Sequence, residues 1–299
     1  MEAMVSLRQV EAFHAIVEAG SFAAAATALG TTQPAISKRI VELEADLGFP
    51  LFDRSARPPQ LTRHGHALLP LCAEMLALRT RMRATLDDPA EYAGQFRIGI
   101  TELVALTVLP ALIGRIRARL PHIRLRTEVK LAEDLHQDLL DRRSDMAIAP
   151  GPPPGGLLHA RKVASLELAW MAGASLGPLP PGPLPAAALA RFPLLAQTQR
   201  SGLQAVVNEW LLENGQRPQL ILACNSLTAL SGMTIAGLGI ALMPRTQFLP
   251  KVASGQLRII ETTPPMPRLD YHVLYPASGL EAVAGIVAEE VAAVGPGLG

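Results

Sequence analysis

The sequence predicts an α/β protein fronted by an all-α-rich winged helix-turn-helix module, with the α/β part doubly wound as two lobes. Three observations carry this. Capped amphipathic helices with glycine stops crowd the span from Ser6 to Gly48. Two short strand-like runs flank the turn that follows it. From Gln95 onward, strand and helix patterns alternate in two series separated by the proline-rich Ser175–Pro185 segment.

Ser6 and Gln9 fit a capping box, with Leu7, Val10, Phe13 or His14, and Val17 at helical spacing and Gly20 as the stop. Ser21 caps a second helix whose apolar face is Phe22, Ala25, Ala26 and Leu29, ended by Gly30. Thr32 caps a third, with Gln33 first and Pro34 second. A proline there removes only an N–H that has no intrahelical partner. Ile36, Ile40, Leu43 and Leu47 point inward, which leaves Gln33, Ser37 and part of Lys38-Arg39 off the stripe. Two helices joined by so short a glycine-containing turn make a helix-turn-helix. Leu51–Arg54 and Gln60–Thr62 then read as the strands of a wing. Thr62 caps a long helix through about Leu86. Leu71, Met75, Leu78 and Met82 give it the seam of a paired helix, or a face packed on its own domain, and Pro70 predicts a kink.

The span Asp87–Gly94 marks a boundary, after which the chain reads as a mostly parallel βαβαβ start. Its strands are Phe96–Ile100, Ile123–Val129 and Asp145–Ala149; its helices are Glu102–Leu120 and Ala132–Arg143. The loop Gly151–Gly156 is a surface connection. A strand at Leu166–Met171 leads to the second series. This comprises strand Phe192–Ala196, helix Gly202–Glu213, strand Leu220–Ala223, helix Ser226–Ala236 and strand Ile240–Met243. Tyr271–Tyr275 and a helix near Leu280–Val294 can return to the first lobe.

At 299 residues, 49% of them hydrophobic, the chain suits two or three folded domains. No apolar run approaches the ~20 residues of a membrane span, and the first residues do not read as a signal peptide. Cys72 and Cys224 make no disulfide framework, which points to a reducing cytoplasm. Net charge is only +1, and residues 1–66 carry six cations against seven acids. Yet five of those cations fall between Lys38 and Arg63, so a local basic patch forms without a basic domain.

With these residues in order, Ser6–Gly65 closely resembles the winged helix-turn-helix of LysR-type transcriptional regulators: Ala-Ala-Thr-Ala-Leu, Gln-Pro-Ala-Ile-Ser, Leu-Glu and Pro-Leu-Phe-Asp-Arg occur in sequence. Ser144–Ile148, Ser201–Leu203 and Ala236–Pro244 extend the resemblance to a two-lobed effector domain of the type II periplasmic-binding-protein kind. The resemblance implies a DNA-binding domain over 1–62, a linker helix for dimerisation over 63–90 and an effector domain over 91–299. Lobe 1 would span about 91–166 plus 267–299, and lobe 2 about 167–266. It implies that Thr31, Thr32, Gln33, Pro34, Ser37, Lys38 and Arg39 meet double-stranded DNA at the major groove, that Ser21 also contacts DNA, and that Arg54 and Arg57 of the wing lie on backbone or minor groove. Glu42, Glu44 and Asp46 should point away. It further implies a homodimer, extending to a homotetramer, with no membrane partner.

In open α/β sheets, ligands sit beyond the carboxyl ends of strands, against helix starts. Thr101 and Glu102, Gln199, Ser201 and Gly202, and Asn225 and Ser226 stand at three such places. They are the candidate site for a small-molecule effector, with a carboxylate favoured, although each also reads as a plain helix cap. Glu102 would disfavour an anion if it pointed inward. Catalytic signatures are missing. Gly237–Leu242 is an incomplete dinucleotide pattern running from helix into strand, and His64 and His66 diverge on a helix. No catalytic residue, metal ligand or cofactor is assigned. Two other readings stay open: a DNA-binding regulator whose second half is a ligand-free assembly platform, and a solute-binding protein.

Overall fold

The computed structural model describes residues 5–53, 59–84, 89–151, 158–217, 220–277 and 280–298. The chain forms two compact units, Met1–Leu86 and Asp87–Gly299.

In the first unit, α1 (Leu7–Ala19) opens on a reciprocal cap: Gln9 N–H donates to Ser6 Oγ at 3.3 Å, and Ser6 N–H donates to Gln9 Oε1 at 2.6 Å. Helices α2 (Phe22–Ala28) and α3 (Gln33–Leu47) follow, capped by Ser21 and Thr32. Gly20 and Gly48 close α1 and α3 at φ 71° and 80°, the left-handed conformation that glycine adopts without a Cβ clash. Strands β1 (Phe52–Asp53) and β2 (Gln60–Leu61) pair antiparallel, Phe52 opposite Leu61. Helix α4 (Arg63–Ala84) runs through Pro70. Val10, Phe13, Ile16, Ala25, Ala26, Ile36, Ile40 and Leu43 form one buried cluster. Phe52 plugs it from the wing, its ring 5.5 Å from both Phe13 and Phe22. Burial of such side chains, about 1.5–3 kcal/mol each, holds three short helices that would not persist alone.

The second unit begins with β3 (Gln95–Ile100), α5 (Glu102–Thr107), α6 (Leu109–Arg119), β4 (Arg124–Val129), α7 (Ala132–Leu140), β5 (Met146–Pro150), β6 (Leu158–Leu166) and β7 (Leu168–Gly173). It continues through β8 (Leu184–Pro185), α8 (Ala186–Leu189), β9 (Leu194–Gln197), α9 (Gly202–Glu213), β10 (Leu220–Cys224), α10 (Leu227–Ile235), β11 (Ile240–Pro244) and α11 (Arg245–Ala253). Then come β12 (Leu257–Ile260), β13 (Thr262–Thr263), β14 (Leu269–Pro276) and α12 (Glu281–Val294). Lobe 1 is a sheet ordered β4-β3-β5-β14-β6, and lobe 2 a sheet ordered β10-β9-β11-β7-β12. The chain crosses between them twice, with only Glu167 separating β6 from β7.

Three expectations change. The single helix over Glu102–Leu120 divides at Val108, because Pro110 has no N–H to continue the ladder from α5. The sheets are mixed: β4-β3-β5 and β10-β9-β11 are parallel, but the crossing strands β14 and β7 run antiparallel to their neighbours. The strand expected at Leu166–Met171 is two strands, since β6 starts at Leu158 as a largely exposed sheet edge with no apolar alternation.

Candidate nucleic-acid interface and effector cleft

At the start of α3 the Thr32 Oγ1 accepts the Ala35 N–H at 3.4 Å. Accepting leaves its hydroxyl proton free to donate outward. Thr32, Gln33, Pro34 and Lys38 are exposed, and Thr31, Ser37 and Arg39 half-buried. The first turn of α3 contains no acid. Lys38 lies 3.8 Å from Glu42, a surface pair contributing little, so its ammonium remains available to an external anion. Ser21 caps α2 by accepting from Ala24 N–H at 3.1 Å. The rear of α3 faces inward. Glu44 Oε1 accepts the Leu51 and Phe52 amides at 2.7 and 3.3 Å, tying the helix to β1. Asp46 Oδ2 accepts from Gln9 Nε2 at 3.4 Å. Arg54 and Arg57 lie outside the described residues. His64, in the first turn of α4, stacks on Phe49 with centroids 4.4 Å apart.

In the second unit a cleft of about 560 Å³ opens between the lobes. Its walls include the first residues of four helices: Thr101, Glu102 and Leu103 of α5, Leu131 and Ala132 of α7, Ser201, Gly202 and Leu203 of α9, and Ser226 and Leu227 of α10. First-turn amides have no intrahelical acceptor, so the cleft is bordered by positive helix ends. Thr101 sits at the N-cap of α5 but makes no cap bond. Its hydroxyl instead pairs with the Tyr271 phenol at 3.1 Å, and burial pushes that phenol up to about 12. Ser201 donates to Gln197 Oε1 at 2.5 Å and accepts the Leu203 amide at 3.2 Å. Lys130 also lines the cleft, but Asp138 and Glu128 hold its ammonium at 2.6 and 2.8 Å. At Asp138 burial works against the charge, and the Lys130 and Arg143 hydrogen bonds outweigh it and keep the carboxyl below its ordinary range.

The lobes meet closely at Gly202, where an added Cβ would stand 2.7 Å from the Pro150 Cβ. Beside it Arg200 reaches from lobe 2 to Asp134 of lobe 1 at 2.7 Å, and the Glu133 amide donates to Arg200 O at 3.2 Å. Glu102 crosses in the other direction. Its carboxylate accepts from the Ser226 hydroxyl and the amides of Leu227 and Thr228 at the head of α10. Burial opposes its charge, yet the Thr228, Leu227 and Ser226 donors together hold its pKa below that of an ordinary glutamate.

Residues 7–66 match the family model of the bacterial regulatory helix-turn-helix proteins of the lysR family, and residues 89–292 match the LysR substrate binding domain. The chain belongs to the LysR family. It is 28% identical over 265 residues, 89% of this chain and 88% of the relative, to the HTH-type transcriptional regulator YeiE of Escherichia coli. Full-length CbnR, solved with its target DNA, superposes with a TM-score of 0.62 at 21% identity, covering 96% of this chain and 99% of CbnR. The regulatory domain of CcmR from Synechocystis, solved in complex with 2-PG, matches 67% of this chain and 97% of that domain, with a TM-score of 0.60 at 19% identity.

Of the effector residues expected in this LysR-family chain, Thr101, Glu102, Ser201, Gly202, Asn225 and Ser226 line the one cleft. Gln199 is exposed and does not line it; Gln197, at the end of β9, takes that place. Tyr271 and Lys130 escaped the sequence reading. Nothing local in the Tyr271–Tyr275 strand tied its first tyrosine to Thr101, 170 residues earlier. Among the described residues no cluster of metal-ligating side chains occurs, and no helix is long and apolar enough to cross a membrane.

Proposed function

We propose that this LysR-family transcription regulator reads double-stranded DNA through the start of α3 and the wing, and is switched by a small anionic molecule held between the lobes of its effector half. The convergence of helix starts on one cleft carries the effector reading, because such ends favour negative charge and point N–H groups at it. Those of α5, α7 and α9 border the cleft, while the first amides of α10 already hold the Glu102 carboxylate. Two proteins of similar fold support the reading: the CcmR regulatory domain was solved in complex with 2-PG, and full-length CbnR with its target DNA. Gln33 reads a base edge, Lys38 and the hydroxyl of Thr32 hold phosphates, and Arg39 serves either. The effector's anionic group sits against Ser201 and Gly202, with Thr101 and Asn225 across the cleft.

Leu71, Met75, Leu78 and Met82 are all exposed on α4, more than 40% each, so this face is the dimer seam. Effector domains extend the assembly to a tetramer, in the cytoplasm. A domain plan of 1–62, 63–90 and 91–299 follows. Ligand binding shifts the lobe equilibrium and with it the spacing of the DNA-reading modules.

Calorimetric titration of the full chain with a panel of small mono- and dicarboxylates tests the effector. A compound that binds should lose about tenfold in affinity in Thr101→Val or Ser201→Val, the cost of one hydrogen bond to a charged group. Binding unaffected by either variant removes those hydroxyls from the site. A panel with no binder favours the assembly-platform reading. Footprinting on DNA should find two half-sites one turn, about 10 bp, or its multiples apart. A monomer protecting one unrepeated site would overturn that arrangement.

A further inference from the structure

The effector reading leaves one cleft group unexplained, the Glu102 side chain. It belongs to lobe 1, yet its carboxylate lies on lobe 2. Oε1 accepts the Ser226 hydroxyl at 3.1 Å, the Thr228 amide at 3.2 Å and the Thr228 hydroxyl at 2.7 Å, while Oε2 accepts the Leu227 amide. The next two amides of α10 turn back on Ser226, Ala229 to its Oγ and Leu230 to its carbonyl, at 3.1 and 3.0 Å. Every amide of the first turn therefore has an acceptor, and two of those acceptors come from the opposite lobe. Among the described residues no cation takes part. Lys130, the cation of the cleft wall, is already held by Asp138 and Glu128. Two carboxylate oxygens against four neutral donors, at the positive end of a nine-residue helix, form the arrangement a bound anion makes there.

We propose that the start of α10 is a carboxylate-binding subsite that Glu102 fills in cis, clasping the lobes until an anionic effector exchanges with it. The exchange step rests on the effector reading above; the occupancy of the subsite by a carboxylate does not. None of the four donors is specific to glutamate, so a ligand carboxylate of the same shape satisfies them equally. When it does, the direct contact between lobes becomes a contact through the ligand, and Glu102 is released toward solvent.

Peptide-resolved hydrogen exchange on the full chain tests this, with acetate as the probe. In Glu102→Ala the Leu227 and Thr228 amides should exchange about tenfold faster. Sodium acetate should restore their protection saturably, and sodium chloride at equal ionic strength should not. Protection of strand β11 in the same sample reports that lobe 2 is folded. Glu102→Gln provides a milder second variant: its neutral amide keeps the shape, exchange rises by less, and acetate has no effect because the place is filled. Unchanged exchange in both variants, or equal responses to acetate and chloride in Glu102→Ala, overturns the subsite. Acetate rescue in a protein for which no carboxylate effector is found leaves the subsite standing and sinks the effector reading alone.

Discussion

Helices α3 and α10 both start at a surface where negative charge matters, and they are finished in different ways. At α3 the cap is local: Thr32 satisfies one amide from its own side chain, no acid enters the first turn, and Gln33 and Pro34 stand in solvent. At α10 the cap is borrowed, since Glu102 arrives from the other lobe and completes the first turn. A helix end that keeps its positive pole uncovered is suited to a polyanion such as DNA. One that carries an internal anion has to be opened before it can bind another.

Making α3 resemble α10 gives the largest expected effect. Gln33→Glu places a carboxylate in the first turn, which would remove the base contact proposed for Gln33 and repel phosphate. DNA affinity should fall about a hundredfold in a gel-shift titration, on the scale of a lost bidentate pair plus repulsion. The folded unit should not suffer, because an acid at a helix start is favourable by about 0.3–1 kcal/mol. A parallel loss of thermal stability would mean that Gln33 is structural and that the contrast between the helices is false.

Gly202→Val comes next. A Cβ there meets Pro150 at 2.7 Å, so the lobes must separate. Overpacking of this kind costs about 1–3 kcal/mol. Small-angle scattering should show a wider effector half, and the Leu227 and Thr228 amides should lose the protection that Glu102 confers. A compact, fully protected variant would show that the lobes do not depend on this approach.

Acidification separates the two helices without mutation. The Glu102 pKa is lowered in the fold, so its contribution is fully present above the ordinary glutamate value of about 4.3 and is lost as pH falls below it. The α10 amides should deprotect over that range while the start of α3, which has no acid in its first turn, should not respond through its own cap. The smallest effect is Thr32→Ala, about 1 kcal/mol of stability for a lost cap with a modest loss of DNA affinity.

The same contrast explains what could be read from the residues alone. The starts of α1, α2 and α3 were legible because each cap links residues three apart: Ser6 with Gln9, Ser21 with Ala24, Thr32 with Ala35. The cleft was legible as a set of strand ends, which places Thr101, Ser201 and Ser226 together once the lobes close. Glu102 read as a candidate cleft residue that would disfavour an anion if it pointed inward; its clasp on α10 was not legible, since those partners lie 124–126 residues onward. Thr101 read as an effector residue or a plain cap, and not as a tyrosine partner, because the tyrosine that claims its hydroxyl lies 170 residues away. Gln199 and Gln197 differ by one strand-end turn, and a hydrophobic pattern does not fix where a strand stops.

The Glu44 carboxylate has a consequence for how the regulator can change its mind. By holding the Leu51 and Phe52 amides, it bolts the rear of α3 to the base of the wing. The helix and the base of the wing are thereby held together as one reading head. In the switch proposed above, an effector would move two such heads along the duplex and alter which spacing they span. On that proposal the vocabulary of each head, assigned to the residues at the front of α3, stays the same in every state of the switch.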